Sequence, residues 1–234
     1  MEKSVGVGDI LKATIDIVSS SARDIGIFAL ILGGLTAVGV IMGLTETAST
    51  TFSMGFAVDA TDSVGSSLFD LLAAVVSVVA GYMLVKALLA GQGLLHTEGN
   101  RFWLYLGMMI LSIIGFVIGF LLLIVPGIIL MVRWSASTGF LLGKGEGITE
   151  SLSASWHATK GHGLAIFFAG LLMIIGIFIL VGILAAVAFV LGSTAGGVLT
   201  AFLEAAANGV GLAFGVAVYQ LVADDTAKVG EVFS

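Results

Sequence analysis

Pro126-Gly127-Ile128-Ile129-Leu130-Met131-Val132-Arg133-Trp134-Ser135 places one guanidinium inside an almost unbroken apolar run. The chain has only nine Lys and Arg residues in 234 positions, so a basic residue there needs a physical reason. Read as part of a membrane-spanning helix, the run itself is ordinary. Arg133 is the exception, and it calls for an acidic partner on another helix.

The rest of the chain supports that reading. Hydrophobic residues make up 59% and charged residues 10%, with a mean hydropathy of +1.18. Soluble domains carry about 25% charged residues, because a surface in water needs them. A chain this poor in charge needs the bilayer as its solvent. Glycine is abundant (33) and proline is limited to Pro126; membrane helices tolerate glycine because water does not compete for their backbone bonds. With no cysteine, disulfides and thiolate metal sites are excluded. A net charge of −6 without a basic cluster argues against nucleic acid. The first apolar run starts near Ile25, behind a charged amphipathic stretch, and is long enough to remain as a span rather than a cleaved signal.

Crossing a hydrocarbon core of about 30 Å takes about 20 apolar residues in a helix. Six segments of residues 1–234, a single membrane domain, qualify: 25–45, 66–91, 102–124, 127–143, 163–190 and 195–223. The third and fourth separate at Pro126-Gly127, where proline lacks an N–H and glycine permits a tight turn. Unbroken, 102–143 would be a helix of about 60 Å, twice the core thickness. The expected fold is therefore all-α and polytopic.

Charge orients the map. Lys3, Lys12, Arg23, Lys86, Arg101, Lys144, Lys160 and Lys228 all fall on one side of it. The opposite loops hold no basic residue; 46–65 carries Glu46, Asp59 and Asp62. By the positive-inside rule both termini are expected in the cytoplasm.

Two segments read as amphipathic helices lying in the interface, each before a span running outward. In 9–23, Ile10, Leu11, Thr14, Ile17 and Val18 share a face; in 148–159, the stripe is Ile148, Leu152 and Trp156. Arg23-Asp24-Ile25-Gly26-Ile27-Phe28 also aligns with Lys160-Gly161-His162-Gly163-Leu164-Ala165, which hints at two repeated units around the 102–143 hairpin.

Four ionisable residues fall within the spans. Lys86 is near enough to the cytoplasmic end to snorkel. At 1.5 Å per residue from the outer boundary, Asp70 lies about 6 Å in, Arg133 about 10 Å and Glu204 about 12 Å. Each alone would cost about 2.5–3.5 kcal/mol near the bilayer centre. Similar depth makes Arg133–Glu204 the natural pair, with Asp70 a second acceptor and Asn208 one turn beyond Glu204. The cluster reads as a buried ion pair fixing helix register, or alternatively as a substrate or proton site.

Other motifs are weaker. Gly39–Gly43, Gly115–Gly119 and Gly211–Gly215 fit close helix approach. His96, His157 and His162 lack metal-ligand spacing, so no metal or cofactor is expected. Gly143-Lys144-Gly145-Glu146-Gly147 lacks the Lys-Ser/Thr ending of a phosphate loop and reads as a flexible cytoplasmic connector. No nucleophile, base and orienting group can be assembled, so no enzyme activity is expected. Trp103, Tyr105, Trp156 and Tyr219 sit where an inner aromatic belt would.

The stretch from Pro126 to Phe167 resembles the YciC-like integral membrane proteins, which are similar to the membrane domain of some glycerophosphodiester phosphodiesterases. The matching residues are Pro126, Gly127, Arg133, Trp134, Glu150, Leu152, Ser155, Trp156, Lys160 and Gly161, about forty residues in all. Tyr219-Gln220-Leu221 is similar to the family's closing Tyr-x-x-Leu, though Asp224-Asp225 replaces its basic ending. The resemblance implies a six-span protein of a bacterial inner membrane. The phosphodiesterase chemistry resides in a soluble domain outside the resemblance, so no activity is implied. The expected function is that of a scaffold or accessory subunit whose partners are membrane lipid, a membrane protein or a second copy. The alternative is a transporter or channel for a small solute or lipid, using Arg133, Glu204, Asn208 and Asp70.

Overall fold

A computed structural model describes residues 5–44, 64–97, 99–190 and 192–232. Glu46, Asp59 and Asp62 of the expected external loop lie outside the described residues, as do Lys3 and Leu191. The elements are α1 (Val7–Ser20), α2 (Ala22–Met42), α3 (Val64–Gly91), α4 (Phe102–Leu122), α5 (Ile124–Trp134), the single turn α6 (Ser137–Gly139), a π-helical turn (Phe140–Lys144), α7 (Ile148–Ala158), α8 (Gly163–Val190) and α9 (Ser193–Val232). No strand occurs among the described residues.

Among the described residues, six helical segments are long and apolar enough to cross a membrane: Ala22–Met42, Gly65–Gly91, Phe102–Leu122, Ile124–Lys144, Gly163–Ala186 and Thr194–Ala223. Their outer faces are apolar as well. Leu30, Ile41, Met83, Val117 and Phe178 are each more than half exposed. Water would not support such a surface, since contiguous apolar patches on soluble monomers are limited to a few hundred Å². The chain is an all-helical, multi-pass membrane protein.

The fourth segment differs from expectation in detail. The chain breaks at Leu123, whose φ of −168° and ψ of 152° are extended, and α5 starts at the next residue. Pro126 and Gly127, the expected turn, sit instead in the first turn of α5. That turn's N–H groups have no helical partner anyway, so proline costs nothing there. Gly127 then lets α4 come close: a Cβ on it would meet Phe120 Cδ1 at 2.6 Å. Gly115 and Gly119 serve the same hairpin, facing Trp134 and Leu130. The small-residue motif packs α4 on α5.

The chain forms two compact units, Met1–Ala22 with Tyr82–Ile174 and Val210–Ser234, and Arg23–Gly81 with Ile175–Gly209. The division falls after the first residue of α2 and within α3, α8 and α9. In the first unit Ile10, Ile17, Val85, Leu88, Leu89, Leu141, Leu142, Val216, Tyr219 and Val222 are almost fully enclosed. In the second, Phe28, Ala37, Ala201 and Ala205 are buried, and Gly33 leaves room for Phe202.

Both amphipathic segments are helices. α1 buries Ile10, Thr14 and Ile17, largely as its pattern indicates, and Gln92 Nε2 donates to Ser20 Oγ at 3.1 Å, tying it to the end of α3. α7 is rotated from its expected stripe. Ser151, Leu152 and Ser155 are buried, Ile148 is half-buried, and Trp156 lies at the exposed edge. Serines let α7 approach closely and supply hydrogen bonds, which a purely hydrophobic reading ignores.

Candidate functional site

The polar chemistry of the first unit gathers where the π-helical turn ends. A helix leaves its last carbonyls without helical donors, and here those of Phe140, Leu141, Leu142 and Gly143 each find one. Glu146 N–H donates to Phe140 O at 3.3 Å and His96 N–H to Gly143 O at 3.0 Å. Arg101 Nη1 donates to Leu141 O at 2.9 Å, and Thr97 Oγ1 donates to Leu142 O. Arg101 Nη2 also reaches Glu146 O at 3.0 Å. The segment 94–101 thus acts as a cap supplied from elsewhere in the chain.

That segment is itself held by α3. Tyr82 Oη accepts the Arg101 N–H at 3.0 Å and donates to Asn100 Oδ1 at 3.3 Å, while Lys86 Nζ donates to Gly99 O at 3.3 Å. Lys86 was expected to snorkel, and its ammonium ends on this carbonyl, 5.7 Å from the Tyr82 ring centre.

Gly145 has φ +78°, the left-handed conformation that closes a helix C-terminus. A Cβ there would overlap Thr97 Cγ2 and lie 2.8 Å from Arg101 Nη1. The glycine-rich stretch 143–147, expected as a flexible connector, is a packed cap. The glycine after a basic last turn, Lys144-Gly145, is the sequence signal that marks it. Gly145→Ala is expected to cost about 1–2 kcal/mol from its backbone alone and more from the overlap, read as a fall in melting temperature in mild detergent.

Glu146 carries a second test. Its Oε2 is buried without a hydrogen-bond partner among the described residues. Burial pushes its carboxyl above the ordinary 4.5, Lys144 opposes this, and Glu150 adds to it. A raised folded-state value means that the protonated form is favoured in the fold. Its stabilisation is fully present below pH 4.5 and is lost as pH rises through the raised value. Glu146→Gln is therefore expected to raise the melting temperature at neutral pH, with the difference closing as pH falls toward 4.5.

Arg133 stands at the end of α5, half-buried, with Cζ 5.5 Å from the Trp156 ring centre. Its backbone carbonyl accepts from Ser155 Oγ at 2.6 Å and from Thr159 Oγ1 at 3.5 Å. Its Nη1 is buried with no hydrogen-bond partner among the described residues. Asp70, Glu204 and Asn208, the other members of the expected cluster, belong to the second unit. All three are exposed there, and Asn208 Nδ2 donates to Glu204 O at 3.1 Å. No group of three or more His, Cys, Asp or Glu that could hold a metal occurs among the described residues.

The chain matches no family model, no curated protein and no solved structure.

Three residues of the resemblance pattern, Arg133, Ser155 and Trp156, meet within the first unit. Ser155 bonds to the Arg133 carbonyl and Trp156 covers its guanidinium. Tyr219 packs edge-on against Phe140 at 5.0 Å. Beside it, Gly139 and Gly143 leave the space its ring fills. Tyr219 reads in sequence as one belt residue; in the structure it is among the largest fully buried side chains.

Proposed function

We propose that this chain is a non-enzymatic protein of a bacterial cytoplasmic membrane, with both termini in the cytoplasm. It serves as a scaffold or accessory subunit through lipid or a membrane partner, and it belongs with the YciC-like proteins. One observation carries the reading: five polar side chains of the first unit are spent on its own backbone. Arg101, Thr97, Ser151, Ser155 and Thr159 all donate to main-chain carbonyls. Catalysis asks for groups aimed at a reacting atom, whereas bonds of this kind stiffen a platform. The meeting of Arg133, Ser155 and Trp156 supports the family resemblance, because matched residues about twenty apart in sequence then share one packing role.

A second reading, transport, is favoured by Glu204 and Asp70, which are exposed on helices long enough to span. Intramembrane carboxylates mark ion and substrate pathways. Reconstituted protein separates the two. The scaffold reading expects tracer flux across proteoliposomes equal to that of empty vesicles, for both the natural chain and Glu204→Gln. A solute flux that Glu204→Gln removes while assembly survives would replace it with transport.

A further inference from the structure

Arg133 presents an unanswered demand. A guanidinium stays charged and carries five donors in a fixed fork. An enclosed donor left unsatisfied is costly, and more so when charged. Buried polar atoms in native folds are nearly always paired; Nη1 is enclosed without an acceptor among the described residues, while the residue as a whole is only half-buried, so its fork is open to an acceptor from outside the chain. The Trp156 ring stands beside the guanidinium, its centre 5.5 Å from Cζ.

The level of this corner follows from its neighbours. Ser155 and Thr159 reach the Arg133 carbonyl, and a Cβ on Gly163 would lie 3.8 Å from Val132 Cγ1. Arg133 is therefore level with the turn Lys160-Gly161-His162, immediately before the 28-residue apolar helix α8. A polar turn before such a helix belongs at the membrane boundary, and Lys160 is exposed there. Trp156, 39% exposed, has the placement of an aromatic residue at that boundary. The acid of α7, Glu150, sits six residues before Trp156, about 9 Å along the helix. The corner thus combines two cations and an indole at headgroup level.

We infer that Arg133, with Lys160 beside it, binds the phosphate of an anionic membrane lipid, the Trp156 indole covering the guanidinium. This rests on the reading of the chain as a non-enzymatic membrane protein acting through lipid, and it names the lipid group. Arginine suits phosphate because its fork can engage two oxygens at once. The placement has a consequence for the α4–α5 hairpin. From Arg133 back to Leu123 is about 15 Å at helical rise, roughly half of a core of about 30 Å. Although both helices are long enough to cross, the tip then ends among acyl chains. That tip is suited to them: Leu121, Leu122, Leu123, Ile124 and Val125 are 64–84% exposed, and no polar residue occurs between Ser112 and Arg133.

Native mass spectrometry of the intact chain released from nanodiscs containing equal phosphatidylglycerol and phosphatidylcholine tests the site. The natural protein is expected to retain phosphatidylglycerol selectively. Arg133→Gln is expected to lose that retention at least about tenfold, as removal of a charge-assisted bidentate contact implies. Equal retention of the two lipids by the natural protein overturns the inference, as does equal phosphatidylglycerol retention by Arg133→Gln. Displacement by millimolar inorganic phosphate would support an anion site and overturn its lipid occupant. A measurement independent of Arg133 variants uses the absence of natural cysteine. Leu123→Cys is expected to resist membrane-impermeant maleimide from both faces, while Gly192→Cys reacts. Labelling of Leu123→Cys from the outer face would set Arg133 too deep for a headgroup and overturn the proposal. A solute flux would instead refute the scaffold reading and leave these results untouched.

Discussion

Gly139→Ala is expected to prevent assembly of the first unit. The added Cβ would overlap the Tyr219 side chain, standing 2.5 Å from its Cδ1. Tyr219 is 1% exposed and wedged against Phe140, so it has nowhere to withdraw. Overpacking costs about 1–3 kcal/mol even where neighbours give; with a rigid, enclosed ring as the obstacle, about 3 kcal/mol or more is expected. Against a total of about 5–15 kcal/mol for an ordinary domain, that is a large fraction. Gly26→Ala is the matched control, because nothing lies within 4 Å of its Cβ; a helical glycine there gains about 0.5–1 kcal/mol on becoming alanine. The measurement is the fraction recovered as a monodisperse peak in mild detergent, with melting temperature. Tyr219→Ala alone is expected to be destabilising through the cavity it leaves. Adding Gly139→Ala to it should cost little more, since the obstacle is gone. A double variant as much worse as the two costs combined would refute the ring-on-glycine account.

Arg101→Gln is the second large effect. Its guanidinium holds Leu141 O and Glu146 O at once, at 2.9 and 3.0 Å. Hydrogen bonds to charged groups contribute about 1.5–3 kcal/mol each, so loss of both is expected to cost about 3 kcal/mol or more. The damage is local first. Hydrogen exchange should rise through 140–146, where Glu146 N–H closes on Phe140 O, before α2 responds. Arg101→Lys is expected to recover about half, because an ammonium cannot span two acceptors as a planar fork does. Full recovery with lysine would show that charge, not geometry, matters at this position.

Composition and hydropathy made the solvent and the spans legible, and the two amphipathic helices lie where periodicity put them. Four features were not legible, each for a physical reason. The hairpin break fell at Leu123 because proline is tolerated in a first helical turn, so Pro126 marks the neighbourhood of the turn and not the turn itself. The glycines of 143–147 carry opposite meanings in a loose connector and in a tight cap, and only Thr97 and Arg101, over forty residues earlier, decide between them. For Arg133, matching by depth sees carboxylates such as Glu204 but not indoles. Its observed neighbour, Trp156, reads in sequence as part of an apolar stripe. The burial of Ser151 and Ser155 leaves no mark in the hydropathy pattern, because short hydroxyls look alike on exposed and buried faces.

The first unit gathers the start, middle and end of the chain. Ribosomes add about 5–20 residues per second, so roughly 10–40 s separate synthesis of Ile17 from that of Tyr219. Throughout that interval α1 has no finished core to enter, and its apolar face must be sheltered by lipid or by an insertion factor. A transcript cut short before Val210 would yield a product whose opening helix never docks, a ready substrate for membrane proteases.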